Sequence, residues 1–470
     1  MRIDDTIAAI STPYGKGGVA MIRISGAEAV EVASKMFKPA SGTKLSEISS
    51  NLAVYGRIYE PFDLKNNIDD GIATIYRAPR SFTGEDTVEI CCHGGILVTQ
   101  TVLGAAFSAG ARCAEPGEFT RRAFVNGKLG LSQAEALAAL LEANTHSKML
   151  LARSGLDGRV SQKCREIYNA LCLVASSVYA RIDYPDEDLG TMSRDDVEVE
   201  LERILSELSK LADTYKSGHA IAEGIRTVIC GKPNVGKSSL YNKIVGREAA
   251  IVTDIAGTTR DILEDTVPFG KVTLRLCDTA GLRSDSDYSE ADVVERIGID
   301  RAYGRLEDAE LILAVFDSSK PLDKEDLELI SLLGEKSGVK IAVFNKADKS
   351  GDLDVAENSA ELSGFSAVVK TSTVSDVGIE TLQRAVEDLF TDGSLDLSND
   401  AIVASARQNA ALSGSIDALR SAIGAVRLGL GEDIYCSNIE EAMSAICELD
   451  GRQVSEDIVA GIFSHFCVGK

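Results

Sequence analysis

The stretch Gly231-Lys232-Pro233-Asn234-Val235-Gly236-Lys237-Ser238 fits the spacing G-x-x-x-x-G-K-[ST]. A loop of this kind turns its backbone amides, and the N-terminus of the helix behind it, toward phosphate oxygens. The context agrees: an apolar strand-like run, Arg226–Cys230, precedes the loop and a helix-like run, Ser239–Ile244, follows it. Asn234, Val235, Gly236, Lys237, Ser238 and Ser239 are the candidate phosphate-binding residues, with Lys237 reaching the β- and γ-phosphates and Ser238 binding magnesium. Asp278-Thr279-Ala280-Gly281 ends the run Val272–Cys277; its Asp can reach magnesium through water and its Gly amide the γ-phosphate. Asn345-Lys346-Ala347-Asp348 follows the run Lys340–Phe344, and the Asp348 carboxylate can accept from guanine N1–H and the exocyclic amine. Adenine lacks that donor pair and would leave a buried acceptor unpaired, so guanine is the expected base. Thr371-Ser372-Thr373 stands where such proteins place a base-contacting loop, a loose match that makes Ser372 a candidate.

Between the phosphate loop and Asp278 lies Thr253-Asp254-Ile255-Ala256-Gly257-Thr258-Thr259-Arg260-Asp261, a polar segment in the place of a first switch loop. Thr259 is the candidate switch threonine that completes the magnesium shell. One departure is informative. Ras-type enzymes carry a water-orienting Gln just after the D-x-x-G motif, and here that residue is Leu282. Hydrolysis is then slow, or another residue or ion supplies the missing help, with the acidic stretch Asp285–Glu295 as the nearest source of a carboxylate.

These residues need elements to hold them. From about 220 to 393, short apolar runs (Arg226–Cys230, Val272–Cys277, Leu311–Phe316, Lys340–Phe344, Ala367–Lys370) alternate with helical patterns, which predicts a doubly wound α/β domain. Residues 1 to about 125 read as α+β: strand-like runs Thr6–Ile10, Val19–Ile24, Gly71–Tyr76 and Thr87–Cys92, with one helix-like stretch at Ala27–Met36. Long amphipathic helices follow. Ser132-Gln133-Ala134-Glu135 reads as a capping box, and Ser193-Arg194-Asp195-Asp196 opens a helix with Val197, Leu201, Ile204, Leu205, Leu208 and Leu211 on one face. Helical texture returns in Ala404–Val426 and Asn438–Leu449. Neither helical part has a partner of its own, so the two are expected to pack together with the α/β domain inserted between them. The expected domains are 1–125, 126–219, 220–393 and 394–470.

Composition sets outer bounds. A chain of 470 residues exceeds one hydrophobic core, and 44% hydrophobic with 26% charged residues is ordinary for a globular protein. Nothing at Met1–Ile10 reads as a signal peptide, and no run reaches the ~18 apolar residues of a membrane span, so a cytoplasmic protein without a membrane partner is expected. The ten cysteines form no C-x-x-C pair; Cys230 and Cys277 read as buried small hydrophobes. Cys91-Cys92-His93 resembles a metal cluster, but neighbours on a strand point to opposite faces. None of His93, His146, His219 and His465 pairs with a nucleophile in sequence context. The net charge of −23 argues against tight nucleic-acid binding unaided and favours a partner or a small anion.

With its two ends, the chain resembles the tRNA-modification GTPase MnmE (TrmE) family from about residue 4 to the last. The specific pieces are Arg23-Ile24-Ser25-Gly26, Phe82-Thr83-Gly84-Glu85-Asp86, Pro116 to Phe124, the Thr253–Asp261 loop and Phe466-Cys467-Val468-Gly469-Lys470. The resemblance implies an N-terminal folate-binding and dimerisation domain, a split helical domain and an inserted Ras-like G domain. It implies a tetrahydrofolate one-carbon donor, as the 5-formyl or 5,10-methylene form, with Arg23, Glu89, Lys128 and Lys470 as contacts. Arginine and lysine suit a glutamate tail and a carboxylate suits a pterin ring; composition alone would make these surface charges. Cys467 is either a nucleophile or a residue packed against the folate pocket, and the packing role is the preferred reading.

The resemblance also implies that potassium replaces an arginine finger, held by the Asn234 side chain and the main-chain carbonyls of Thr253, Ile255 and Thr258. Glu295 matches the residue that positions the water, after a segment several residues longer than expected around Asp285–Ser289. The implied reaction adds an aminomethyl-type group at C5 of the wobble uridine of certain tRNAs. The implied partner is the FAD-containing MnmG (GidA), in a heterotetramer built on the homodimer, with tRNA gripped mainly by that partner. Two rivals are a regulatory GTPase of ribosome assembly and a scaffold with a vestigial site. The chain shows no basic RNA-binding domain, and intact Lys237, Ser238, Asp278 and Asp348 argue against decay.

Overall fold

The computed structural model describes residues 5–61, 63–184, 190–246, 264–277, 306–349, 360–451, 456–464, 466, 468 and 469. They form two compact units, Met1–Ala138 with Asp450–Lys470, and Ala139–Leu449.

The first unit is built on a sheet of β1 (Ile7–Ile10), β2 (Val19–Ser25), β3 (Phe37–Pro39), β4 (Ala53–Glu60), β5 (Asp63–Tyr76), β6 (Thr87–His93) and β7 (Arg112–Cys113), in the order β3-β4-β5-β6-β2-β1-β7. Alternation along each strand divides its residues between two faces. Ile22, Ile24, Val88, Ile90, Ala73 and Ile75 join one core with the helices Ala29–Met36 and Ile96–Ser108. Arg23 and Glu89 are left on the other face, directly opposite each other. The same alternation separates Cys92, in the core, from half-buried Cys91, while exposed His93 pairs with Asp69 at 2.8 Å.

The sequence reading had one helix here. The second, Ile96–Ser108, carries apolar residues all round and so shows no stripe to read. Strand Ala53–Glu60 was also missed, and β5 runs well upstream of Gly71 because it pairs with β4 along its length. The helix at Ser132 begins one residue early, at Leu131, and its cap is the Gly130 amide donating to the Gln133 side chain at 2.9 Å, so Ser132 is inside the helix. Past Leu449 the chain returns to this unit: Phe463 and Phe466 share a core with Leu131 and Ala134, and Val468 bridges Pro116.

In the second unit, β8 (Ile225–Cys230), β9 (Glu264–Phe269), β10 (Val272–Cys277), β11 (Leu311–Asp317), β12 (Val339–Asn345) and β13 (Ala367–Lys370) form a sheet ordered β13-β12-β11-β8-β10-β9. All neighbours are parallel except the β9–β10 hairpin. Both faces are covered: Leu311, Leu313 and Val315 enter one core, Ile312, Ala314 and Phe316 another. The helices Arg159–Asp183, Arg194–Asp213, Ala406–Arg427 and Glu432–Asp450 share a further core, so segments before and after the sheet pack together. Ser193 caps its helix reciprocally with Asp196. No helix among the described residues is long and apolar enough to cross a membrane.

The incoming and outgoing segments are stitched side by side. Val403 N donates to Thr214 Oγ1 (3.0 Å) and Asp392 N to Ser217 Oγ (2.9 Å). Gly218 allows the closest approach, since a Cβ there would lie 2.1 Å from the Val403 carbonyl oxygen. One turn on, His219 Nε2 lies 3.3 Å from Glu310 Oε1 and Nδ1 3.4 Å from Glu223 Oε2. The hydrogen bond to Glu310 raises the imidazole above its usual value, while burial lowers it less. A raised folded pKa stabilises at pH below the unfolded value and loses that contribution as pH climbs through the folded one. The thermal-midpoint advantage of the wild type over His219→Gln is therefore expected to shrink as the pH rises from below to above the usual imidazole range; an advantage that grows with pH contradicts this.

Candidate functional site

The sheet order places the ends of β8, β12 and β13 at one rim, where open α/β sheets bind ligands. The phosphate loop leaves β8 and runs into the helix Lys237–Gly246. Its conformation is held by the base-side motif. Asn345, 1% exposed, donates from Nδ2 to the Val235 carbonyl at 3.1 Å. The approach is so close that a Cβ at Gly236 would meet Asn345 Nδ2 at 2.1 Å, and φ there is +101°. Lys346 Nζ donates to the Asn234 carbonyl and pairs with Asp317 at 2.7 Å. Asn234 has φ 63°, a left-handed value that asparagine tolerates. Lys237 Nζ donates to the Lys232 carbonyl at 2.8 Å, which keeps the amine folded over the loop.

On the base side, the Ser372 hydroxyl donates to Asp348 Oδ1 at 2.6 Å, and Ser372 N bonds the Val377 carbonyl at 2.9 Å. Ser372 is 1% exposed and Asp348 is exposed, so a buried hydroxyl fixes one oxygen of a carboxylate at the surface. The Thr371–Thr373 segment thus orients Asp348, a role that a loose motif match could not disclose. Lys243, on the phosphate-loop helix, pairs with Asp376 of the same turn. The sequence reading placed Asn234, Val235, Gly236, Lys237, Ser238, Ser239, Asn345, Lys346, Asp348 and Ser372 in one site. The structure links Asn234, Val235 and Gly236 to Asn345 and Lys346, and Asp348 to Ser372. Thr253, Ile255, Thr258, Thr259, Asp278, Thr279, Ala280, Gly281, Leu282 and Glu295 lie outside the described residues.

In the other unit, Arg23 is held on every side. Its Nε and Nη2 meet Glu89 Oε1 at 2.9 and 2.8 Å, and its guanidinium lies 5.4 Å from the Phe82 ring centre and 5.6 Å from that of Phe119. Tyr76 OH approaches Glu89 Oε2 at 3.4 Å, and burial with the Glu89 charge raises its pKa. Lys128 donates to the Pro79 carbonyl at 2.9 Å, and its stem would touch a Cβ at Gly84. The C-terminal tail reaches β1, where Ser11 donates to the Gly469 carbonyl at 3.0 Å. Cys467 and Lys470 are outside the described residues.

Sequence reasoning missed the charges beneath. Arg122, 1% exposed, meets Asp5 Oδ1 at 2.6 Å, Glu118 Oε1 at 3.0 Å and Glu85 Oε1 at 3.2 Å. Arg112 reaches Glu118 and Asp5, both at 2.7 Å. Burial pushes Glu118 upward, but hydrogen bonds from Arg112, the Glu115 amide and Arg122 outweigh it and hold the carboxyl low. Glu85 also accepts from Ser25 at 2.8 Å, and Ser25 lies 2.7 Å from Thr83. The partners are scattered through the chain, so no local pattern announces them.

A doubly wound sheet with a phosphate loop clasped to a guanine-type base loop, joined to a second unit on a largely antiparallel sheet, defines a multidomain guanine-nucleotide-binding protein. Residues 6–128 match the family described as GTP-binding protein TrmE N-terminus, and residues 131–467 match the MnmE helical domain. The tRNA modification GTPase MnmE of Clostridioides difficile (strain 630) is 37% identical over 470 residues, 100% of both chains. Those of Geobacillus thermodenitrificans (strain NG80-2) and Thermoanaerobacter pseudethanolicus are 39% and 38% identical, with 99% of each chain covered. A solved structure, the G domain of the T. maritima FeoB iron transporter, is 27% identical, covering 35% of this chain and 97% of its own at a TM-score of 0.25. The chain belongs to the MnmE family of tRNA modification GTPases.

Gly236→Ala is expected to weaken GTP binding by about a hundredfold, through the Asn345 clash and the strained φ. Ser372→Ala, which removes one hydrogen bond to a charged acceptor, should weaken GTP binding by about tenfold. Calorimetric titration of both variants checks the order; equal affinity in Gly236→Ala and wild type contradicts the clasp.

Proposed function

We propose that the chain hydrolyses GTP with potassium as its catalytic aid and couples turnover to a tetrahydrofolate-dependent modification of tRNA. The product is an aminomethyl-type group at C5 of the wobble uridine of certain tRNAs, made in the cytoplasm with the FAD protein MnmG (GidA). The observation that carries this over an ordinary regulatory GTPase is in the first unit, where Arg23 with Glu89, Lys128 and the C-terminal tail are parts of one body. Cationic side chains beside a carboxylate suit a ligand with a glutamate tail and a guanine-like ring, as folates have. Tyr55 and Ile72, partners across β4 and β5, are 57% and 45% exposed, which supports this sheet as the homodimer surface.

In the G domain, the loop amides and Lys237 would bind the phosphates and hold the reacting phosphoryl group in line, while Asp348, oriented by Ser372, selects guanine. Ser238 and Thr259 offer hydroxyl oxygens that suit magnesium. Asn234 and the carbonyls of Thr253, Ile255 and Thr258 offer neutral oxygens that suit potassium. Bound there, a monovalent cation supplies positive charge for what develops during phosphoryl transfer. Glu295 is the proposed water-positioning carboxylate, in place of the Gln that Leu282 replaces.

GTP turnover compared in potassium and sodium at equal ionic strength tests this. Potassium is expected to accelerate hydrolysis by about tenfold or more, and Asn234→Ala to remove the gain. Equal, slow rates in both salts would exclude the ion and move the reading to a GTPase with a protein activator.

A further inference from the structure

The buried charges around Arg122 lie directly behind the residues that hold Arg23, and the contacts say what they do there. Arg23 is clasped between two rings carried by different pieces of chain: Phe82, on the loop after β5, and Phe119, on the helix Glu118–Val125. Nothing in the backbone ladder joins that loop to that helix. The join is made by side chains. Glu85, three residues past Phe82, takes an ion pair at 3.2 Å from Arg122, one helical turn past Phe119. Glu85 also accepts from Ser25, two residues along β2 from Arg23 itself, at 2.8 Å. Asn126 Nδ2 completes the tie by donating to the Thr83 carbonyl at 2.8 Å. Arg122 is 1% exposed and the Glu85 side chain 14%, so the arginine end of the linkage is shielded from solvent, and the removal of its partner leaves an uncompensated charge inside.

We propose that Arg122, acting through Glu85, is a positioning residue for the one-carbon-donor site. It sets the separation of Phe82 and Phe119 and so fixes the guanidinium of Arg23 for an anionic pterin ligand. The inference rests on the folate reading above. Arg122 itself is too deeply buried to touch a ligand; its effect passes through the loop. That loop also carries Gly84, against the stem of Lys128, and follows Pro79, whose carbonyl accepts from Lys128 Nζ. A shift of the loop therefore moves both cations that would receive carboxylates. A displacement of this kind is costly because charge-assisted, bidentate recognition depends on geometry.

The test is calorimetric titration of the full chain with 5-formyl-tetrahydrofolate, with circular dichroism and the thermal unfolding profile as the check that each variant is folded. Glu85→Gln is expected to bind about tenfold more weakly, equivalent to 1.4 kcal/mol, at unchanged GTP turnover. Ser25→Ala removes the hydrogen bond to Glu85, together with those to Thr83 and Thr87 of the same loop and strand, and should weaken binding by about threefold; it serves if Glu85→Gln does not fold. The distinguishing measurement is a double-mutant cycle. In an Arg23→Ala background, where the guanidinium is gone, Glu85→Gln or Ser25→Ala should change affinity by less than about twofold. The same loss in both backgrounds would mean a general packing role and overturn the inference. So would wild-type affinity in both single variants, with the folate reading left standing. A wild-type chain that does not bind the folate removes that reading and this inference together.

Discussion

Asn345 is the residue on which the nucleotide site turns. A buried amide must satisfy both its ends, and this one does so by joining three pieces of backbone. Its nitrogen donates to the Val235 carbonyl, and its oxygen lies 3.4 Å from the Thr373 amide and 3.5 Å from the Thr371 hydroxyl. The phosphate loop, the end of β12 and the base-side turn after β13 are thereby held in one register. The spacing of a nucleotide's phosphates from its base is a fixed length, so a site for both has to fix the two loops against each other before the ligand arrives. The glycine at 236 follows from the same contact, because the amide occupies the space that any Cβ would need. Lys346 repeats the device one residue on, tied to the Asn234 carbonyl and to Asp317, whose carboxyl is held down to about 2 against burial by Lys346 and Ser319.

The first unit solves a related problem with charge. There the loop after β5 has no neighbouring strand to hold it, and a buried arginine takes the place of a ladder. Three carboxylates and two guanidinium groups share the site, and such a cluster is tolerable in a low-dielectric interior only while each member keeps its partners. Asp5, held low first by its hydrogen bond to Arg112, draws the beginning of the chain into the same cluster. The arrangement exchanges stability for a defined loop position.

What was legible in the sequence and what was not divides along the range of the interactions. The phosphate loop, Asn345-Lys346-Ala347-Asp348 and the strands that carry them are local patterns, and the strands at Val272–Cys277 and Ala367–Lys370 fall where the apolar runs end. The cap at Ser193 is equally local and is present as read. Ile96–Ser108 was invisible because apolar residues such as Ile96 and Leu97 also occupy its exposed face, so no polar face sets its period. The shared core of the two helical parts could be inferred only by elimination. The hold on Arg23 was out of reach altogether: Glu89 is its partner by strand register, and Phe82 and Phe119 by the placement of a loop and a helix. None of those relations leaves a mark on sequence spacing. Ser372 lies between the extremes, in a turn whose position was right and whose role emerges only from its contact with Asp348.

The way the sheet is attached to the helical layer bears on how nucleotide chemistry reaches the rest of the unit. Two segments of chain cross between them, and they are bonded to each other on the crossing: Thr214 to Val403, Ser217 to Asp392, with Gly218 against the Val403 carbonyl. A free hinge would let either crossing turn alone. Here the two crossings are bonded to each other. The helices Arg194–Asp213 and Ala406–Arg427 beyond them lie in a common core through Leu201, Ile204, Leu208, Leu412 and Leu419. His219, on the incoming segment at the same join, bridges Glu223 and Glu310. The inserted segment is thus tied to the helical layer where it enters and where it leaves, by side-chain hydroxyls of one segment that accept from backbone amides of the other.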